Sequence, residues 1–136
     1  MKKLDNRTTE IFDALLTMMA GEFMEIEHNL YMPLTMEKIG EGVRTEQGNA
    51  NLYSLCHYYT QNGDLMQDPE MCFMVVDKRN GDGTDWEKLL IIPYLFQQAN
   101  LSIYQESVVI WDEQIKSYDP ELQVHHTAFA QTWLRG

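Results

Sequence analysis

One short segment of the sequence holds most of the residues whose chemistry could support a site. Residues 57–73 read HYYTQNGDLMQDPEMCF and contain a histidine and three carboxylates: His57, Asp64, Asp68 and Glu70. Carboxylates near a turn supply the oxygen ligands that Mg²⁺ or Ca²⁺ prefers, and a histidine beside a carboxylate can exchange protons with a substrate. The segment therefore raises the hypothesis of a metal-dependent enzyme or a ligand-binding site built on these four residues.

The same segment also has a structural interpretation. Asn62-Gly63 is a favoured pair for a two-residue hairpin turn, and Asp68-Pro69 commonly opens a turn. Catalytic carboxylates usually converge from separate elements, whereas these three lie in one linear segment. We therefore predict a hairpin between two strands here, and we assign no catalytic residue and no metal ligand.

Six residues form the candidate functional surface that the sequence predicts. They are Tyr53, His57, Tyr59, Asp64, Asp68 and Glu70. The first three share one parity of a predicted strand, so they point to the same side and could form a stacking surface. Stacking platforms for single-stranded nucleic acid also need basic flanks, and the flanks here are acidic or neutral. The predicted surface therefore does not suit a single strand of nucleic acid.

The charge of the chain limits the partners that it can have. Ten lysines and arginines against 21 aspartates and glutamates give a net charge of −11. Binding to nucleic-acid phosphates needs a basic face, so direct nucleic-acid binding is disfavoured and protein partners are expected. The sequence gives no indication of the oligomeric state.

The sequence shows neither a membrane span nor a secretion signal, so we expect a cytoplasmic protein with reduced cysteines. Hydrophobic residues make up 44% of the chain, enough for a core. No apolar run approaches the roughly 20 residues of a membrane span, and the opening MKKLDNRTTE lacks the apolar segment of a secretion signal. Cys56 and Cys72 lie in apolar, strand-like runs outside any C-x-x-C pair, so we predict two reduced core thiols.

Helical periodicity occurs at both ends of the chain. Residues 8–20 place apolar side chains on one stripe, with Asn6 or Thr8 as the predicted N-cap. Near the C-terminus, Asp119 is a good N-cap and Pro120 suits the first helical position. The apolar face predicted for this second helix consists of Leu122, His126, Phe129, Ala130 and Trp133.

Period-two patterning fills the interval between the helices. From residue 24 to residue 36 the apolar side chains take even positions and the acidic ones odd positions, which indicates one or two half-buried strands. Residues 40–49 are predicted to be a polar, glycine-rich loop. Further strands are predicted at residues 51–61, 71–76, 89–96 and 103–111. The predicted fold class is therefore α+β, with a single mostly antiparallel sheet of about five strands flanked by an N-terminal and a C-terminal helix, in one domain spanning residues 1–136.

Common enzyme signatures do not occur in the sequence. We find no G-x-S-x-G, no G-x-x-x-x-G-K-[ST], no G-x-G-x-x-G and no H-E-x-x-H. The sequence therefore favours a non-enzymatic role, and no cofactor is predicted.

Four sequence blocks carry a resemblance to a known family. They are YMPLTMEKIG (31–40), LCHYYTQNGDLMQDPEMCF (55–73), LSIYQESV (101–108) and PELQVHHTAFAQTWLR (120–135). In this order they resemble a small uncharacterised bacterial domain family of conjugative transposons and plasmids, sometimes fused to antirestriction-like proteins. Its most telling block, H-Y-Y-x-Q-N-G-D-L-M-x-D-P-E-M-x-F, fits residues 57–73 throughout, whereas residues 89–100 replace a shorter, aromatic-rich strand of the family. The resemblance implies a cytoplasmic accessory role on a mobile genetic element, and it implies no activity, cofactor or catalytic residue.

Three functional hypotheses follow. The first is a non-enzymatic accessory or interaction domain that is encoded by a mobile element and works through protein contacts. The second is an acidic DNA mimic of the antirestriction type, for which Glu25, Glu27 and Glu37 on one strand face are the only hint. The third is the metal-dependent enzyme or ligand-binding site on the histidine and three carboxylates of residues 57–70.

Overall fold

The structure, a computed structural model, describes residues 1–28 and 31–136, apart from the side chains of residues 28, 31 and 32. Within these residues the chain forms two α-helices, eight β-strands and two short 3₁₀ turns. The helices are α1 (Asn6–Met18) and α2 (Pro120–Arg135). The strands are β1 (Phe23–His28), β2 (Tyr31–Thr45), β3 (Gly48–Gln61), β4 (Asp64–Asp77), β5 (Leu89–Gln98), β6 (Ile103–Glu106), β7 (Val108–Trp111) and β8 (Gln114–Tyr118).

The eight strands form one sheet that the two helices flank, so the predicted α+β class is confirmed. The strand order is β6-β5-β4-β3-β2-β8-β7, and β1 pairs with the first part of β2. The described pairs are antiparallel except for the pairing of Arg44 in β2 with Gln114 in β8. The predicted number of about five strands is wrong, because the described part of the chain contains eight.

Two errors in the sequence-based prediction explain why the structure has more strands than predicted. Residues 40–49 are not a loop: β2 continues to Thr45, and two register shifts against β3 accommodate its glycines, including Gly42 at φ +69°. The predicted strand 103–111 is divided at Ser107 into β6 and β7. A turn at Asp112 and Glu113, with φ of 52° and 57°, then leads into β8, which the sequence did not reveal. Such turns normally carry glycine or asparagine, so this pair gives a weak hairpin signal.

Side chains cap both helices at their N-termini. The Asp5 carboxylate accepts a hydrogen bond from the Thr8 amide at 2.9 Å, so Asp5 is the cap of α1 rather than Asn6 or Thr8. Asp119 caps α2 as predicted, accepting from the Leu122 amide at 3.1 Å. No helix in residues 1–28 or 31–136 is long and apolar enough to cross a membrane.

The helices cover one face of the sheet, which we call the helix face. Its core combines residues of the N-terminal segment, α1, α2 and the central strands: Leu4, Phe12, Met36, Leu55, Met71, Phe73, Val75, Leu89, Ile91 and Ala130. The predicted stripe of α2 is partly wrong, because Phe129 is 40% exposed whereas Gln123 is fully buried. Predicted alternation in β1 and β2 is confirmed for Met36, which is buried, and Glu37, which is exposed; Leu30 lies outside the described residues.

The opposite face, which we call the inner face, lies inside a curl of the sheet. The Ser107 amide, just before β7 at one end of the strand order, donates to the Tyr94 carbonyl of β5 at 2.9 Å near the other end. Inside the curl lies a second core, formed by Val43, Ala50, Cys72, Met74, Val76, Ile92, Tyr94 and Val108. Cys56 and Cys72 are buried and free, as predicted.

Candidate functional site

Strand register places four glutamates, on four different strands, in two adjacent rows at one end of the inner face. One cross-strand row consists of Glu25, Thr35, Cys56, Glu70 and Gln97. The adjacent row consists of Phe23, Glu37, Ser54, Cys72, Leu95 and Glu106. Directly paired residues project to the same side of a sheet. We call this end of the inner face, with Glu25, Glu37, Glu70 and Glu106, the acidic half.

Glu70 is the half-buried centre of this surface. Its carboxylate accepts hydrogen bonds from the Ser54 hydroxyl on β3 and the Gln97 side-chain amide on β5. The other three glutamates are exposed, and Glu106 accepts a hydrogen bond from the Tyr104 hydroxyl. One carboxylate of the acidic half is thus fixed by the sheet, and three face solvent.

Neutral thiols and phenols surround Glu70. Burial raises the pKa of the Cys56 thiol to about 12, and the charge of Glu70 adds to this effect. Burial and Glu70 likewise raise the pKa of Cys72 to about 12. Burial also raises the pKa of Tyr58 and that of Tyr94 above their ordinary range. Because thiolates are the nucleophilic form of cysteine, these thiols serve as neutral packing groups at neutral pH.

The aromatic members of the predicted surface belong to the helix face instead. The Tyr53 ring lies 6.5 Å from that of Phe12 in α1, edge to face. His57 approaches the Trp133 ring of α2 at 5.7 Å, and its Nδ1 lies 3.2 Å from the Pro33 carbonyl oxygen. Tyr59 shares their strand parity, and its hydroxyl donates to the Gln61 side chain at 3.3 Å. These side chains and Glu70 therefore lie on opposite faces of the sheet.

The remaining carboxylates are separated along the hairpin. Asp64 is exposed beside the Asn62-Gly63 turn, where it pairs with Gln61. Asp68 accepts a hydrogen bond from the Gln98 side-chain amide at 2.9 Å. The four residues of the metal or ligand hypothesis, His57 among them, do not converge on one point. Within the part of the chain that the structure describes, no group of three or more His, Cys, Asp and Glu residues is placed to hold a metal ion.

His126, which the sequence placed toward the core, is buried as expected. Its Nε2–H donates to the Gln105 side-chain oxygen at 3.1 Å, and its Nδ1 accepts from the Ser107 hydroxyl at 2.8 Å. Burial lowers the pKa of His126, and the neighbouring His125 acts in the same direction while Asp119 opposes them. The imidazole is therefore a neutral link between α2 and the break between β6 and β7.

Sequence reasoning named Glu25, Glu37 and Glu70 separately, but it missed Glu106 and the hydrogen-bond partners of Glu70. Ser54, Gln97 and Glu106 lie on three different strands and become neighbours only through strand register. Alternation within β1 and β2 did single out Glu25 and Glu37. Nothing in one sequence indicates that their face continues across to Glu70.

Comparison with known proteins gives one family. A protein-family model described as a domain of unknown function (DUF6908) matches residues 6–136. The match covers nearly the whole chain, and the description attached to it assigns no activity. No curated protein and no solved structure matches this sequence.

Proposed function

This chain belongs to the DUF6908 family of domains of unknown function, and we propose that it is a non-enzymatic domain that binds a basic segment of a partner protein. The observation that carries the proposal is the strand register that sets Glu25, Glu37, Glu70 and Glu106 in two adjacent cross-strand rows of the inner face. Neutral thiols and phenols surround Glu70, and a neutral thiol is a poor nucleophile.

Charge complementarity selects the kind of partner. The two cross-strand rows of the acidic half contain no lysine or arginine, and the chain as a whole carries a net charge of −11. A potential of this sign attracts cationic partners and accelerates their encounter. The exposed ring of Tyr104 lies beside Glu106 and offers an aromatic surface to lysine or arginine side chains. The proposed occupant is therefore a lysine- or arginine-rich segment with apolar side chains between the charges.

The test is binding of a defined peptide to matched charge variants. The probe is a fluorescein-labelled peptide of alternating lysine and leucine, measured by fluorescence anisotropy at about 0.15 M salt. Replacing Glu25 and Glu37 by glutamine should weaken binding about fivefold, since two exposed ion pairs at about 0.5 kcal/mol each contribute about 1 kcal/mol together.

The control removes two carboxylates elsewhere and has the same net charge. Glu10 is exposed on α1, and Asp64 is exposed at the hairpin turn. The variant with Glu10→Gln and Asp64→Asn should bind the peptide as the parent does. If both double variants lose the same peptide affinity, binding depends only on net charge and the proposal is overturned. The proposal is also overturned if the parent protein does not bind the peptide.

The biological setting is a second part of the proposal. We place the domain in the cytoplasm as an accessory protein of a mobile genetic element, with residues 1–136 folding as one unit. The support is the resemblance of residues 57–73 to a block found in proteins of conjugative elements. A survey of neighbouring genes tests the setting, and cell fractionation tests the compartment. Housekeeping genes as neighbours on the chromosome would count against the mobile-element setting.

One observation favours the acidic-mimic hypothesis. Glu25 and Glu27 are exposed on β1 at a spacing of two residues, about 7 Å in a strand, and Glu37 is exposed on the adjacent strand. A DNA mimic would compete with duplex DNA for a DNA-binding protein. The assay is cleavage of plasmid DNA by a type I restriction enzyme, with and without this protein. Inhibition that is lost in the Glu25→Gln, Glu27→Gln variant would favour mimicry, and unchanged cleavage would exclude it for that enzyme.

A further inference from the structure

A cavity of about 790 Å³ lies at the other end of the inner face from the acidic half. Its apolar lining comes from three strands and consists of Leu90, Ile92 and Ile115 together with Met74, whose side chain is fully buried. Pockets that hold small organic ligands span roughly 300–1,000 Å³ and have mostly apolar walls with a few polar groups. We call this cavity the pocket; its volume suits a ligand of about ten to twenty heavy atoms.

The mouth of the pocket carries positive charge in an otherwise acidic protein. Arg44 and Lys3 line it, and the Lys78 ammonium group approaches the rim through a 3.4 Å hydrogen bond to the Gln47 side chain. Glu46 is the single acidic residue among the lining side chains. The local charge is thus positive although the chain has 21 acidic residues against ten basic ones.

Arg44 differs from the arginines that stabilise the fold. Arg79 is paired with Asp13 and Asp77, and Arg135 is paired with Asp5. The exposed Arg44 side chain has no carboxylate partner in the described part of the chain. A guanidinium group presents a planar fork of donors that fits a carboxylate or a phosphate. Arg44 lies at the end of β2 among the residues that line the pocket, and no carboxylate of the described residues occupies its charged donors.

The backbone around both cationic residues is fixed. The Arg44 amide donates to the Glu113 carbonyl at 2.9 Å where β2 meets β8. Lys3 is held from both sides: the Lys2 amide donates to the Gln123 side chain at 2.7 Å, and the Leu4 amide donates to the Ile91 carbonyl at 2.9 Å. The backbone positions of Lys3 and Arg44 relative to the apolar wall are thus set by the fold.

We infer that the pocket binds a small amphipathic anion, with its hydrocarbon part against the apolar wall and its carboxylate or phosphate on Arg44 and Lys3. A neutral apolar ligand would offer no charged partner to Arg44 or to Lys3, whose ammonium group donates to the Leu4 carbonyl at 3.4 Å. A cationic ligand would be repelled by them. The inference uses a different end of the inner face from the proposed protein contact and does not depend on it.

The experiment is calorimetric titration of the full chain with four probes below their micelle-forming concentrations: decanoate, decyl phosphate, 1-decanol and acetate. Decanoate or decyl phosphate should bind about tenfold or more tightly than 1-decanol, because a hydrogen bond to a charged group is among the stronger single contacts. Acetate should not bind measurably, since it lacks the hydrocarbon part. The stronger of the first two identifies the head group.

Matched arginine variants test the assignment of the charge. Arg44→Gln should weaken decanoate or decyl phosphate binding about tenfold and leave 1-decanol unchanged. Arg7→Gln removes the same charge from an exposed position on α1 and should have no effect. Equal affinity for decanoate, decyl phosphate and 1-decanol, equal effects of the two variants, or no binding of either anion would overturn the inference.

Chain length tests the apolar wall independently. Each methylene buried contributes about 0.8 kcal/mol, so affinity should rise about fourfold per methylene from hexanoate to decanoate. A head group bound at the surface, with its chain in solvent, would give the same affinity for every length and would overturn the inference.

Discussion

The acidic half and the pocket are built from the same strands, yet they suit ligands of opposite charge. Strand β4 supplies Glu70 and Cys72 to the acidic half, and two residues further on it supplies Met74 to the wall of the pocket. All three point to the inner face by strand alternation. The chemistry therefore changes along the strands rather than between the two faces of the sheet.

The two regions differ because a hairpin covers one of them and no described element covers the other. Val108, Ile110 and Ile115 of the β7–β8 hairpin pack over the pocket end of the inner face. At the acidic end, Glu25, Glu37 and Glu106 stay exposed. A hairpin that the sequence did not reveal thus turns one half of a sheet face into a cavity and leaves the other half as an open surface.

Among the substitutions that test the separation of the two regions, Gln123→Leu should lower the free energy of unfolding most. The buried Gln123 amide group donates to the Lys2 and Pro93 carbonyls and accepts from the Lys2 amide. The substitution leaves these groups unpaired and should lower the free energy of unfolding by about 2–4 kcal/mol, measured by urea denaturation. It should also weaken decanoate binding while peptide binding persists, since Lys3 loses its anchor.

Val124→Ala is the matched control for that variant. Val124 is the next residue on α2 and is 43% exposed, so its truncation should change stability by less than about 1 kcal/mol. Equal losses of peptide and decanoate binding in Gln123→Leu would show that the two regions are not separable.

Glu70→Ala should produce the next largest effect. The substitution removes the acceptor of the buried Ser54 hydroxyl and of the Gln97 amide, and should cost about 1–3 kcal/mol of unfolding free energy. Glu106→Ala, at an exposed position of the same surface, should cost less than about 0.5 kcal/mol. Decanoate binding should be the same in both variants. Weaker decanoate binding in either variant would show that the acidic half affects ligand binding in the pocket.

His126 should give a smaller, pH-dependent effect. The pKa of His126 is lower in the folded state than in the unfolded state. As the pH falls, the His126 imidazole is therefore protonated first in the unfolded state, which stabilises that state. This contribution to stability is present above the unfolded pKa of about 6.5 and is lost as the pH falls toward the folded value. Urea midpoints at about pH 7.5 and about pH 5.5 should differ less in His126→Gln than in the parent.

The neighbouring histidine provides the control for the pH effect. His125 is exposed on the same helix, so His125→Gln should retain most of the pH dependence of the parent. If His125→Gln abolishes the pH dependence and His126→Gln does not, the buried imidazole is not its source.

The smallest effect on stability is expected from Glu25→Gln. Glu25 is exposed, and substitutions at such positions usually change the free energy of unfolding by no more than about 0.5 kcal/mol. Peptide binding should nevertheless fall, which separates the function of the acidic half from its structure. A large loss of stability would mean that the Glu25 carboxylate belongs to the fold.

Sequence patterns predicted the elements better than they predicted the site. The Asn62-Gly63 hairpin, the cap of α2 and the burial of both cysteines depend on local chemistry, and all three are found. The pairing of β2 with β8 and the neighbours of Glu70 depend on contacts between distant residues, which local patterns do not encode. The histidine in HYYTQNGDLMQDPEMCF illustrates the limit, because strand alternation sends it to the face opposite Glu70.

The anchoring of residues 2–4 also protects an edge of the sheet. Within residues 1–28 and 31–136, β6 pairs only with residues 95–98 of β5, so no described strand accepts the carbonyls of Ile91 and Pro93 on this edge. The Leu4 amide and the Gln123 side chain occupy them. An uncovered strand edge is a template on which another chain can add a strand and begin to aggregate. The hydrogen bonds that hold Lys3 at the mouth of the pocket thus also prevent this part of β5 from recruiting a foreign strand.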